Sequence, residues 1–257
     1  VVRRLILVAL LAGCGGEHNP EGEPRDRTVV PDCDITLDGS IERDEVAAAP
    51  GLEALYVRND PALAVPVAVD GWDFSEGPRD VGLRVRLEDP AANGFAPRFP
   101  TAGWTVPAAL ETPDLLTPAR LGDDGIELLG AGTADGAWDL AYDEPLLAMP
   151  LPLEVGDAWA ARAVFRDARL GGFPNAGIEE WTFEVEAAGT AELPGGVTVD
   201  DVLRVHSTVV RDLTIGPDEP ITEHRIQWFA PCFGEVARVV LPDPDADTAT
   251  EYRRLEP

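Results

Sequence analysis

The sequence predicts a mostly β fold, an antiparallel sheet curved into a half-barrel or stacked as a sandwich, running from about residue 32 to 257. Three observations point to it. Apolar and polar residues alternate with period 2 through successive runs, the spacing that gives a strand one buried face. Gly and Pro clusters separate the runs, as turns require. No stretch after the first 14 residues carries a long apolar stripe at helical spacing.

In chain order, Leu63, Val65, Val67 and Val69 share a face, and Leu83, Val85 and Leu87 alternate with Arg84, Arg86 and Glu88. Trp138, Leu140 and Tyr142 alternate with acidic residues; Trp159, Ala161, Ala163 and Phe165 alternate with Arg162 and Arg166. Trp181, Phe183, Val185 and Ala187 alternate with Thr182, Glu184 and Glu186. The one helical expectation is a short helix within Arg43–Leu55, stopped or kinked at Pro50-Gly51. A seam between two lobes is placed near 100–120, although a chain of this length can bury one sizeable core.

Two late strands flank a turn-rich loop at 213–220. Pairing Asp212 with Ile221 sets Val205 against Trp228, Ser207 against Ile226 and Val209 against His224. That register makes one face mostly apolar and the other mostly polar, whereas a one-residue slip mixes them.

The chain starts differently. Arg3-Arg4 precede an apolar run from Leu5 to Leu11, then Ala12-Gly13-Cys14. A basic segment, an apolar run and small residues form an export signal, and this run is shorter than the about 20 residues that span a bilayer. Leu11-Ala12-Gly13-Cys14 resembles the lipobox of bacterial lipoproteins. The resemblance implies removal of residues 1–13, a diacylglyceryl group on the Cys14 thiol and an acylated (palmitate-class) new terminus. Two or more chains make anchoring stable. Residues 14–31, rich in Gly, Glu and Pro, read as a flexible tether. Gly15 stands where enteric lipoproteins retained at the inner membrane carry Asp, which points to the outer membrane.

With Cys14 given to the lipid, Cys33 and Cys232 remain as an even pair in an oxidising compartment, and a disulfide between them is expected. Two separate buried thiols are the alternative.

The net charge of −27 opposes phosphate backbones and so disfavours nucleic-acid partners. Every basic residue is Arg, a matter of genomic composition. The order Val155-Gly156-Asp157-Ala158-Trp159, Leu193-Pro194-Gly195-Gly196 and Trp228-Phe229-Ala230-Pro231-Cys232-Phe233-Gly234 resembles exported bacterial β-proteins akin to the half-barrels of lipoprotein carriers. The resemblance covers about a third of the chain and implies curved antiparallel sheets, but no catalytic residues. Cys232 stands where that pattern carries Gly.

The search for a reactive site is mostly negative. Histidines occur at 18, 206 and 224; His206 is expected on the polar face of its strand and His224 toward the apolar one. Ser40, Ser75 and Ser207 lack a G-x-S-x-G setting, and no H-E-x-x-H, C-x-x-C, P-loop or G-x-G-x-x-G occurs. Asp243, Asp245 and Asp247 have the spacing that opens a calcium loop, but Thr248 and Arg254 stand where Gly and Glu are needed. No cofactor or metal is expected. The leading expectation is a non-enzymatic envelope lipoprotein, anchored to the membrane at Cys14, that binds a partner or serves structurally. The runner-up is a carrier of apolar ligands on a concave sheet lined by Trp138, Trp159, Trp181 and Trp228. An envelope hydrolase is the third reading.

Overall fold

The computed structural model describes residues 33, 35–59, 63–64, 71–76, 81–94, 97–109 and 112–257. The signal segment 1–13, Cys14 and the tether 14–31 lie outside these residues, as do His18 and Val65, Val67 and Val69 of the first alternation.

The described residues form strands β1 (Ser40–Ile41), β2 (Glu53–Asn59), β3 (Leu63–Ala64), β4 (Gly71–Asp73), β5 (Val81–Arg86), β6 (Trp104–Ala109), β7 (Thr112–Leu121), β8 (Gly125–Gly132) and β9 (Asp139–Pro150). There follow β10 (Leu153–Glu154), β11 (Ala158–Leu170), β12 (Phe173–Leu193), β13 (Val197–Leu213), β14 (Ile221–Ala230), β15 (Gly234–Leu241), β16 (Thr248–Ala249) and β17 (Glu251–Leu255). Twelve of them pair in the order β5-β2-β17-β15-β14-β13-β12-β11-β9-β8-β7-β6. The two ends of this sheet meet where Glu88 and Thr105 exchange backbone hydrogen bonds at 2.9 Å each way. The fold is therefore a nearly closed antiparallel barrel, the mostly β class that the alternation predicts.

Closure needs the strands to bend, and the sheet bends where the sequence places Gly. Gly130 has φ +149°, and the β8–β9 register shifts beside it. Pro194-Gly195-Gly196 turns β12 into β13, with both glycines at positive φ. The expected helix in Arg43–Leu55 reduces to one 3-10 turn, Arg43–Glu45. Residues 53–55 belong to β2, because they pair with Arg84–Arg86 of β5 beyond the Pro50-Gly51 turn.

Alternation gives the barrel an inner and an outer face. Ala163, Phe165, Phe183, Val185, Val205 and Val209 are buried inside, while Arg162 and Glu180 pair on the exposed outside at 3.4 Å. One apolar cluster sits on the inner face: Ile41, Leu153, Phe183, Val185, Leu203 and Val205. A larger one sits mainly on the outer face, where β4 and the β3–β16 pair cover part of the sheet around Trp72, Phe74, Trp228 and Val239.

This second layer overturns the expected β13–β14 register. Arg211, not Asp212, faces Ile221; Val205 faces Gln227, Ser207 faces Arg225, and Arg204 faces Trp228. The expectation assumed one buried face. Here both faces are buried, so Val205 and Trp228 bury on opposite sides and the apolar pattern no longer fixes the register. His206 and His224 consequently share the outer face.

Residues 33 and 35–46 belong to an arm across one mouth of the barrel. Cys33 is disulfide-bonded to Cys232 in the β14–β15 turn, with the Cα atoms 6.0 Å apart, as the cysteine count led us to expect. The Glu45 carboxylate, almost fully buried, accepts from Thr36 N and Oγ1 at 2.6 and 2.8 Å and from Glu42 N at 2.9 Å. Its carbonyl accepts from Cys232 N at 2.7 Å. β1 pairs with β10, Gly39 N donates to Asp201, and Arg43 reaches the Leu121 and Asp123 carbonyls in the β7–β8 turn. Ile41 then seats in the inner apolar cluster.

Candidate functional site

The inner face of β12 to β17 carries a band of charged side chains that the local sequence does not single out. Glu179 on β12 lies opposite Arg211 on β13, and Arg211 Nε donates to it at 3.1 Å. Its other oxygen accepts from Tyr142 Oη at 2.9 Å and Trp181 Nε1 at 3.1 Å. Arg211 also reaches Glu223 at 3.8 Å, and Glu223 is ion-paired to Arg225. Further round, Glu235 gathers three donors: Gln227 Nε2 at 2.5 Å, Arg238 Nη2 at 2.6 Å and Arg253 Nε at 2.6 Å. Three Glu side chains thus hold four Arg, with Glu251 a weaker neighbour of Arg253.

Charges this close to the core must be paired or they would neutralise. Burial pushes the Glu235 carboxyl up, but the Arg238 and Arg253 charges and the Gln227 bond outweigh it and bring it down to about 2. Burial, aided by the Arg253 charge, lowers Arg238 to about 10 against the pull of Glu235. Burial first, and the Glu179 charge second, hold the Tyr142 phenol well above its ordinary range, so it remains a donor.

Beside this band lies an aromatic wall. Trp159 stacks on Phe183 with centroids 4.4 Å apart, and Trp181 follows at 5.7 Å. The Arg225 guanidinium lies over the Trp181 ring at 5.5 Å, and Arg253 lies 5.6 Å from the Tyr56 ring. Trp159, Trp181 and Arg225 are only half-buried. An apolar wall that runs into fixed guanidiniums has the chemistry to hold a molecule with an apolar body and an anionic head.

Of the four tryptophans expected on one concave wall, Trp159 and Trp181 are there. Trp228 is buried on the opposite face, because the layer of β4 and β16 packs over it at 0% exposure. Trp138 lies in the turn before β9, half-buried. His206 Nδ1 lies 3.4 Å from Glu186, and His224 Nδ1 lies 3.0 Å from Thr208 Oγ1, both on the outer face. Ser207 points inward and donates to Gln227 at 3.3 Å. Strand alternation thus separates that hydroxyl from both imidazoles. Asp243 Oδ1 accepts from Asp245 N at 3.1 Å, a local turn bond. Among the described residues, no three His, Cys, Asp or Glu are grouped to hold a metal ion. A shallow cleft of about 360 Å³ opens beside the arm, lined by Asp38, Gly39, Ser40, Glu42, Glu154 and Val155. Its lining is polar, unlike the apolar cavity that a carrier of purely apolar ligands needs.

Fold and site together define a nearly closed β-barrel with a charged and aromatic inner wall. No family model, curated protein or solved structure matches the chain.

Proposed function

We propose that the chain is a lipid-anchored binding protein of the bacterial envelope, held at Cys14, whose inner wall takes up an amphiphile with an anionic head. The observation that carries the ligand class is the continuous Trp159–Phe183–Trp181 stack ending at Arg225. Stacked rings suit an apolar body, and the Arg band suits an anion. The anchor rests on the lipobox-like Leu11-Ala12-Gly13-Cys14, with the outer membrane favoured by Gly15. The Cys33–Cys232 disulfide fits export, since such bonds persist in oxidising compartments. A non-enzymatic role is favoured over a hydrolase by the opposed directions of Ser207 and the two histidines.

Two measurements test the reading. Mass spectrometry of the mature protein is expected to find an acylated N-terminal Cys14; an unmodified terminus elsewhere rejects the anchor. The full-length protein, reconstituted in nanodiscs, is titrated with dodecanoate and with dodecanol while tryptophan emission is followed. Dodecanoate is expected to bind at least tenfold more tightly, and Arg225→Leu to remove the difference. Equal binding of the two, or no binding, rejects the ligand class.

A further inference from the structure

Arg253 and Arg254 are neighbours on β17 and point to opposite faces. Arg253 is held inside by Glu235. Arg254 lies in the outer layer at 0% exposure, among the largest fully buried side chains. Its register row runs Arg204, Trp228, Ala237, Arg254 across four strands. Alternation aims this row outward, but β4 covers it, with Trp72 and Phe74 edge-on to Trp228 at 6.2 and 5.1 Å.

The polar atoms of this cluster are unusual in kind. Arg254 Nη1 donates to the Phe74 carbonyl. Among the described residues, Arg254 Nε and Nη2 have no hydrogen-bond partner, nor do Trp72 Nε1, Trp228 Nε1 and Arg204 Nε. All of these are donors. Buried guanidiniums elsewhere in this protein hold carboxylates. Asp73, the acidic group whose field reaches Arg254, is exposed and accepts from Ser75 N and Oγ. The Tyr252 hydroxyl accepts a hydrogen bond from the same guanidinium, but burial, against the pull of Arg254, raises it to about 12, so it offers no negative charge. A fully buried cation with unmet donors is costly unless an acceptor meets them. Donors without an acceptor select an anion over a cation or an apolar guest. Ala237 puts only a methyl group between Trp228 and Arg254 in this row, a short span that suits a monatomic ion.

We infer that Arg254 is the principal ligand of a buried site for one halide-class anion, with the indole N–H groups of its cluster as further donors. The site is distinct from the inner wall and does not depend on that wall's ligand. It ties β4 and β17 together through charge.

The test follows thermal unfolding of the full-length protein in sodium chloride and in sodium gluconate at equal ionic strength. Chloride is expected to raise the midpoint by several degrees more than gluconate, because an ion bound only by the folded state stabilises it. Arg254→Met is expected to abolish the difference. Equal midpoints in the two salts overturn the proposal, as does a chloride effect that survives in Arg254→Met. Should that variant fail to fold, Trp228→Phe keeps the ring, loses the N–H, and is expected to shrink the chloride shift; an unchanged shift counts against the site. In crystals grown with bromide, an anomalous peak is expected beside Arg254 Nε and Nη2. An ordered water there in its place overturns the assignment.

Discussion

The Arg225 guanidinium carbon lies 5.5 Å from the centroid of the Trp181 ring, two strands away on the inner face. The intervening strand β13 carries Ser207 and Val209 at these positions, so the two long side chains meet above shorter ones. Arg225→Leu is expected to lower stability by about 1–3 kcal/mol, because half-buried Glu223 loses its nearest cation. Arg225→Lys restores charge but not the planar stack, and recovers only part of the loss. Urea midpoints of the three proteins check this; full recovery with Lys shows that charge alone matters.

Glu235 makes the barrel acid-sensitive. Its carboxyl falls from an ordinary 4.5 to about 2 in the folded state. A depressed folded value means that the stabilisation is complete above about pH 4.5 and is lost as pH falls toward 2. The shift corresponds to about 3 kcal/mol. Unfolding midpoints measured from pH 5 to 2.5 are expected to fall steeply, and Glu235→Gln to flatten the slope while lowering the midpoint at pH 7. An unchanged slope in the variant assigns the acid loss to another group.

Cys232 adopts φ +64°, a left-handed conformation that favours Gly. Removing the cross-link over a sequence separation of 199 is expected to cost about 4–5 kcal/mol. The double variant Cys33→Ser, Cys232→Gly is expected to be about 1 kcal/mol more stable than Cys33→Ser, Cys232→Ser, since Gly adopts this conformation without strain. Equal unfolding midpoints of the two would show that the turn relaxes once the bond is gone.

Gly130 and Gly136 both have positive φ but differ in surroundings. A Cβ on Gly130 would lie 2.0 Å from the Leu140 carbonyl oxygen, while one on Gly136 meets nothing within 4 Å. Gly130→Ala is expected to cost about 3 kcal/mol or more by prising β8 from β9. Gly136→Ala is expected to cost about 1 kcal/mol, from backbone strain alone. Chemical denaturation separates them; similar losses would mean that β8 shifts to admit the methyl.

The strands were legible where one face is buried. The Trp159–Phe165 alternation in β11 and Trp181, Phe183 and Val185 in β12 lie with the expected side inward, while a bulge after Val185 turns Ala187 to the outer face. Cysteine parity gave the disulfide. The β13–β14 register was not legible, because period 2 names the apolar side only when the other side is wet, and Trp228 is covered by residues over 150 positions earlier. The Arg and Glu band was missed for a related reason. Glu223, Arg225 and Gln227 alternate like any solvated edge. Only the pairing of β12 through β17 sets three Glu among four Arg across strands, and local sequence carries no record of partners in other strands.

The ring of twelve strands is joined at β5 and β6 by a single rung, Glu88 to Thr105. Most other joins in the ring are ladders of several rows, with β9 and β11 sharing the single row Arg169–Asp139, whereas this one depends on two backbone hydrogen bonds. Among the described residues the rung is one of the two narrowest joins in the wall. Opening there would widen the interior without breaking another ladder, and would give a ligand of the proposed kind a side door away from the mouth crossed by the arm.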